Sequence, residues 1–147
     1  MKYLPLLVAA LALGACQHAG SGTGKNDDTG KKADTWVTYS GTLPCADCGG
    51  ILTELTIHEM PGSNEAEFKL KETYQGTKSG RDEVFRSDGI YRIVQGSGPQ
   101  PCILLNPDKD KNLQRSFQQT GLHELKMLDN SQQPIESALN YTLKSNP

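Results

Sequence analysis

The sequence predicts an all-β domain that closes into a small antiparallel barrel of about eight strands. Apolar and polar residues alternate with a period of two through most of the chain after residue 34, which is typical of strands with one buried face. The 15 Gly and 8 Pro among 147 residues supply turns between short elements. Eight or nine short strands also have edges to cover, and closure into a barrel covers them.

The first strands show the clearest alternation. Residues 35–41 (TWVTYSG) are rich in β-branched and aromatic side chains, which favour strands. In residues 51–59 (ILTELTIHE) and 67–75 (EFKLKETYQ), apolar side chains alternate with polar or charged ones. A helix over 49–59 is the best alternative, because Ile51, Leu52 and Leu55 also have helical spacing.

The sequence pattern in the middle of the domain predicts a β-hairpin. Residues 83–86 form a short strand, Ser87-Asp88-Gly89 gives a turn signal, and 90–95 form the returning strand. Residues 96–101, which are rich in Gly and Pro, then end that strand.

Four further strands are predicted before the chain ends. Residues 102–106 (CILLN) are a buried strand stub, and in 113–119 Leu113 and Phe117 alternate with polar residues. The last two strands are 122–128 and 137–144, and in the final one Leu139, Tyr141 and Leu143 share one face.

The first residues indicate an export signal. Residues 1–16 (MKYLPLLVAALALGAC) place one Lys before a short apolar run, which suits a secretory signal peptide and is too short for a membrane span of roughly 20 residues. The end of this run resembles the lipobox of bacterial lipoproteins. We therefore expect a signal peptide over 1–15 and a lipid anchor on Cys16. Gln17 in the second mature position favours the outer membrane, on its periplasmic or surface face.

Residues 16–34 predict a lipidated flexible tether, because they are rich in small and polar residues and lack any large apolar side chain. Residues 35–147 then form the folded domain. The chain ends at Pro147, so we expect a single-domain protein.

Charge and motifs argue against two classes of function. The net charge of −2 does not suit a protein held to nucleic acid by phosphate contacts. The sequence contains no G-x-S-x-G or H-E-x-x-H motif, so we expect no enzyme. The expected partners are the membrane, through the lipid anchor, and an envelope protein.

The cysteines carry the sharpest chemistry. Cys45 and Cys48 form a C-x-x-C pair, which can close a disulfide, take part in thiol exchange, or give two thiolates to a soft metal such as Cu(I). Cys102, His58 and His123 are weaker additional candidates, since a structural zinc site needs four ligands. No cofactor is certain from these residues, and Cu(I) and Zn(II) are the candidate metals.

At these residues the chain resembles a known family. Residues 39–56 (YSGTLPCADCGGILTELT) are similar to the signature of the NlpE N-terminal domain, and residues 125–129 and 135–143 are similar to its closing strands. The resemblance covers residues 36–144. It implies a lipocalin-like β-barrel on a lipid anchor, and a metal or redox role for Cys45 and Cys48.

The resemblance also implies a function in copper tolerance, or in sensing surface or envelope stress, through the C-x-x-C loop. Longer relatives carry a second domain, on which part of the signalling role depends. The alternative is a structural or interaction lipoprotein (a ligand carrier, an adhesin or an enzyme inhibitor) in which the C-x-x-C pair is only a disulfide.

Overall fold

The computed structural model describes residues 35–96 and 98–147. The expected signal peptide, the tether and the lipidation site at Cys16 lie outside these residues. The described chain forms eight antiparallel strands, and each one pairs with its neighbours in the sequence until β8 returns to β1 and closes the barrel. The strands are β1 (Thr35–Leu43), β2 (Gly50–Glu59), β3 (Glu65–Gln75), β4 (Glu83–Gln95), β5 (Pro101–Leu105), β6 (Arg115–Gly121), β7 (Glu124–Met127) and β8 (Thr142–Ser145).

The all-β prediction is confirmed, and the helical alternative for residues 49–59 is wrong. Those residues form β2, which pairs with β1 on one side and β3 on the other. In the described part of the chain, no helix has the length and apolar character needed to cross a membrane.

The inside of the barrel is filled with side chains. Alternate residues of the strands point inward, as the period of two predicts. Leu55, Phe68, Phe117, Leu125 and Leu143 are at most 1% exposed. The middle of the barrel is therefore a packed core, and clefts that are lined partly by core residues open at its two ends.

The prediction of a turn at Ser87-Asp88-Gly89 is wrong, because β4 runs without interruption through these residues. Gly89 lies opposite Phe68 in the β3–β4 ladder. A Cβ atom there would lie 2.6 Å from Asn106 Oδ1 and 3.2 Å from Phe68 Cε1. This glycine therefore makes room for its neighbours and does not reverse the chain.

Leu113 and Leu139, which were expected to alternate with polar residues in strands, are exposed and lie outside the strands. Leu113 is 58% exposed and ends a 3-10 helix over Lys111–Leu113, before β6 begins. Leu139 is 62% exposed and lies before β8, which begins only at Thr142. Short loop segments interrupt the alternation at both sites, so the period of two does not extend to these leucines.

The strand order defines two ends of the barrel. We call the end with the β1–β2, β3–β4, β5–β6 and β7–β8 connections the cysteine end, because the first of these connections carries Cys45 and Cys48. The opposite end, where β1 begins at Thr35, is the N-terminal end.

Candidate functional site

The C-x-x-C pair lies in the short connection between β1 and β2. Leu43 pairs with Ile51, so the two strands meet directly below the loop of residues 44–49. The main-chain N–H of Gly49 donates to the Gln75 carbonyl oxygen at 2.8 Å, which fixes the end of the loop to β3. The loop is thus held by the barrel wall at both of its ends.

Gly50 closes the loop in a conformation that suits glycine. Its φ is +151°, and a Cβ atom would lie 2.7 Å from Thr42 Cγ2. Any larger residue would strain the backbone and push against β1. The two glycines after Cys48 therefore allow the tight return of the chain into β2.

Cys45 and Cys48 are joined by a disulfide, with an S–S distance of 2.03 Å and a Cα–Cα distance of 5.4 Å. Both residues are partly exposed. In this oxidised form neither sulfur is a thiolate, so neither can act as a strong ligand for a soft metal. Reduction would take two electrons and two protons and release two thiols at the surface.

The charges around the disulfide are weakly coupled. Lys78, in the β3–β4 connection, places its Nζ 3.9 Å from Asp47 Oδ2. The two side chains are 85% and 76% exposed, so this ion pair contributes little to stability. The loop is accordingly held by its backbone and its disulfide.

The third cysteine is far from this loop in the topology. Ile103 and Leu105 of β5 pack with the core, so Cys102 and Leu104 point to the outside of the barrel. There Cys102 is covered, with only 2% exposure, and its Sγ lies 3.8 Å from Gln132 Oε1. Burial raises the pKa of this thiol, which lowers its thiolate fraction and its reactivity.

A turn of the β7–β8 connection provides the cover over Cys102. The Asp129 carboxylate accepts hydrogen bonds from the main-chain N–H groups of Ser131 and Gln133, both at 2.8 Å. Leu128 is 4% exposed and donates its main-chain N–H to the Ser116 carbonyl oxygen at 2.8 Å. Cys102 therefore has the role of a small apolar residue under a folded segment.

His58 and His123 lie near the N-terminal end of the barrel, opposite the disulfide loop. His58 pairs with Trp36 across β1 and β2, and their rings stack with centroids 4.6 Å apart. His123 lies in the β6–β7 turn, where its Nδ1 is 3.2 Å from Ser145 Oγ. The structure thus does not bring His58, His123 or Cys102 to the disulfide loop. Across residues 35–96 and 98–147, no group of three or more His, Cys, Asp or Glu side chains could hold a metal ion.

A second site, which the sequence did not indicate, is a cleft of about 590 Å³ at the N-terminal end. Tyr39, Tyr91 and Glu59 line it together with apolar residues of the rim. The Tyr91 hydroxyl donates to the His58 carbonyl oxygen at 2.8 Å. Burial, and then the Glu59 carboxylate, raise the pKa of both tyrosines. Tyr39 and Tyr91 also belong to the core, so the cleft opens into this end of the barrel.

Comparison with known proteins gives a family match and a curated relative. The NlpE N-terminal domain family matches residues 39–138. Lipoprotein NlpE of Escherichia coli (strain K12) is 30% identical over 108 residues, which are 74% of this chain and 40% of that protein. The chain thus matches less than half of the length of this relative. No solved structure matches the chain. On the family match, which covers the barrel from β1 to the β7–β8 connection, the chain belongs to the NlpE family.

Proposed function

We propose that this protein is an outer-membrane lipoprotein that takes part in copper tolerance or envelope-stress sensing through the Cys45–Cys48 loop. The observation that carries the proposal is the partly exposed disulfide at one end of a packed barrel. A sensor needs a reactive group that a reductant or a metal can reach without opening the core. This loop meets that requirement, whereas the buried Cys102 does not.

The proposed chemistry has two steps. A dithiol reductant gives two electrons and two protons to the disulfide, which becomes two thiols while the reductant becomes a disulfide. Each thiol of the pair then loses its proton when a soft ion such as Cu(I) binds the two sulfurs. The oxidised and reduced loops thus differ in metal affinity, which is the property that a sensor of copper or redox stress requires.

Cu(I) competition tests this chemistry. The full chain is reduced anaerobically in a non-ionic detergent, freed of reductant, and titrated with Cu(I) against a chromophoric Cu(I) chelator. The reduced wild type and the Cys102→Ser variant should each remove one equivalent of Cu(I) from the chelator. The oxidised wild type and the Cys45→Ser/Cys48→Ser variant should remove none. Equal uptake by the double variant would refute the metal step.

The redox step is tested by measuring the reduction potential of the Cys45–Cys48 disulfide. The protein is equilibrated in buffers of known ratio of reduced to oxidised glutathione, and its free thiols are then quantified by alkylation. A labile disulfide that can report on its surroundings has a potential above about −300 mV, whereas structural disulfides lie below that value. A lower potential, together with unchanged copper tolerance in cells that lack the gene, would favour the alternative function. In that case the protein is a structural or interaction lipoprotein with a permanent disulfide, and the clefts at the ends of the barrel and its outer surfaces would be the candidate binding sites.

The lipid anchor is supported by the lipobox-like segment before Cys16 and by the name of the E. coli relative, which is a lipoprotein. Metabolic labelling with an alkyne analogue of palmitate should label the wild type in the outer-membrane fraction. The Cys16→Ser variant should carry no label and leave the membrane. Label that persists in this variant would contradict the assignment.

A further inference from the structure

The wall of the barrel has an open backbone edge on β4. β5 pairs only with the second half of β4, from Tyr91 to Gln95. After Leu105 the chain turns away, because Asn106 adopts a left-handed conformation with φ of 54° and its side chain donates to the Leu113 carbonyl oxygen. The first half of β4 is therefore paired with β3 alone.

The backbone groups at this edge can be assigned from the hydrogen bonds further along the strand. On the β3 side, the Ile93 N–H donates to the carbonyl oxygen of Asn64, which lies just before β3. On the β5 side, the Ile90 carbonyl oxygen accepts from the N–H of Asn106, which lies just after β5. Because successive residues of a strand point their N–H and C=O groups to opposite sides, Val84, Arg86 and Asp88 direct theirs towards the open edge. In the part of the chain that the structure describes, these main-chain groups have no partner.

A cleft of about 610 Å³, lined by both apolar and charged residues, lies directly against this edge at the cysteine end. Its walls include Phe85 of β4, Tyr74 of β3 and Leu113 of the 3-10 helix. Phe85 and Leu113 are 54% and 58% exposed, and Phe85 meets Tyr74 edge to face, with ring centroids 5.3 Å apart. Side chains of an added strand that point inward, as Phe85 does, would enter this cleft.

The charged residues on the outer face of this edge indicate which charges a bound segment should carry. Glu54, Lys71 and Arg86 follow one another across β2, β3 and β4, and Lys71 forms an ion pair with Glu54. Arg86 thus has a like charge on one side, and an acidic residue on its open side would offset that repulsion. Asp88, two positions along, lies opposite Lys69 of β3, and a basic residue on its open side would also be opposite in charge.

We propose that the open edge of β4 binds an extended segment of a partner protein by β-strand addition, with an acidic residue opposite Arg86 and apolar residues on either side of it. The main-chain groups of Val84, Arg86 and Asp88 pair with the backbone of the segment. The two apolar side chains occupy the cleft beside Phe85 and Leu113. This interaction does not depend on the redox state of Cys45 and Cys48, so it stands apart from the proposed sensing function.

A synthetic peptide tests the proposal. The probe is a capped, fluorescein-labelled peptide with the core Lys-Val-Glu-Val-Thr, whose antiparallel addition places Lys opposite Asp88, Glu opposite Arg86 and Thr opposite Val84. A scrambled peptide, in which the two Val are adjacent, is the control. With the full chain in a non-ionic detergent, the alternating peptide should bind at least tenfold more tightly in fluorescence anisotropy. It should also slow hydrogen exchange in the segment 83–89.

Two variants separate backbone pairing from charge. Arg86→Pro removes an N–H that β3 does not use, so it should weaken binding at least tenfold while the barrel remains intact. Arg86→Glu should weaken binding of the Lys-Val-Glu-Val-Thr peptide and strengthen binding of a Lys-Val-Lys-Val-Thr peptide. Arg81→Glu, in the loop before β4, is the matched control and should leave the affinity for both peptides unchanged.

Four outcomes would overturn the proposal. These are equal binding of the scrambled peptide, binding that Arg86→Pro does not weaken, and amides of Val84, Arg86 and Asp88 that are already slow to exchange in the free protein. The fourth is a dimer of the free chain that Arg86→Pro dissociates, which would make a second copy the occupant of the edge.

Discussion

Removal of the Cys45–Cys48 disulfide should destabilise the barrel by a calculable amount. The bond joins residues with a sequence separation of 3, so it closes a loop of about four residues, and loop-closure entropy then gives about 2 kcal/mol at 25 °C. For a folded unit of about 110 residues, this loss lowers Tm by about 8 °C. Because no core side chain contributes to the bond, we expect the strands to remain intact in the reduced protein.

The measurement is thermal unfolding of the full chain in a non-ionic detergent, followed by circular dichroism. The Cys45→Ser/Cys48→Ser variant and the reduced wild type should lose the same amount of free energy, since both lack only the cross-link. The Cys102→Ser variant is the control, because this thiol lies outside the bond. The effect of the substitution on the free energy of unfolding should be the same with and without reductant. A reduced protein that is as stable as the oxidised one, or one that unfolds completely at 25 °C, would refute the loop-entropy reasoning.

Four further substitutions test the packing, the loop and the ionisation of Tyr39. Leu55→Ala removes a side chain that is 0% exposed and should cost about 3 kcal/mol in urea unfolding, whereas Leu139→Ala, at 62% exposure, should change stability by less than about 0.5 kcal/mol; equal losses would contradict the assignment of the core. Gly50→Ala should cost about 2 kcal/mol, because the added Cβ meets β1 at a positive φ, and a neutral effect in the same assay would show that the loop can relax. The pKa of Tyr39 is raised from 10.0 by burial and by the Glu59 carboxylate, so the free energy of unfolding should decrease as the pH rises above 10, where the unfolded chain ionises first. Tyr39→Phe should flatten this alkaline slope, and an unchanged slope would exclude the contribution of this group.

The sequence predicted the barrel because alternation and burial agree in most strands. Ile57, Phe68 and Leu143 were expected on an inward face and are buried. The alternation did not reveal that β4 is one strand of 13 residues, because Ser-Asp-Gly has the composition of a turn. Only the approach of Phe68 and Asn106 to Gly89 explains that glycine, and such contacts between distant segments cannot be inferred from local composition.

The candidate site was predicted in part. The spacing of Cys45 and Cys48 identified the loop, and the structure selects the disulfide among the forms that this spacing allows. The open edge of β4 was missed, because its position depends on where β5 stops. Asn106-Pro107 is a turn signal, but only the three-dimensional pairing shows which backbone groups of β4 this turn leaves without a partner.

The position of Cys102 on the outer face of β5 also determines which thiols can pair as the chain oxidises. A bond from Cys45 or Cys48 to Cys102 would close a loop of about 55 residues in place of about four, which costs about 2 kcal/mol more and makes it on the order of fiftyfold rarer in the unfolded chain. In the folded barrel the turn held by Asp129 covers Cys102 and separates it from the other two sulfurs. A bond to Cys102 would therefore require this turn to leave its place, whereas the Cys45–Cys48 bond is compatible with every strand of the barrel.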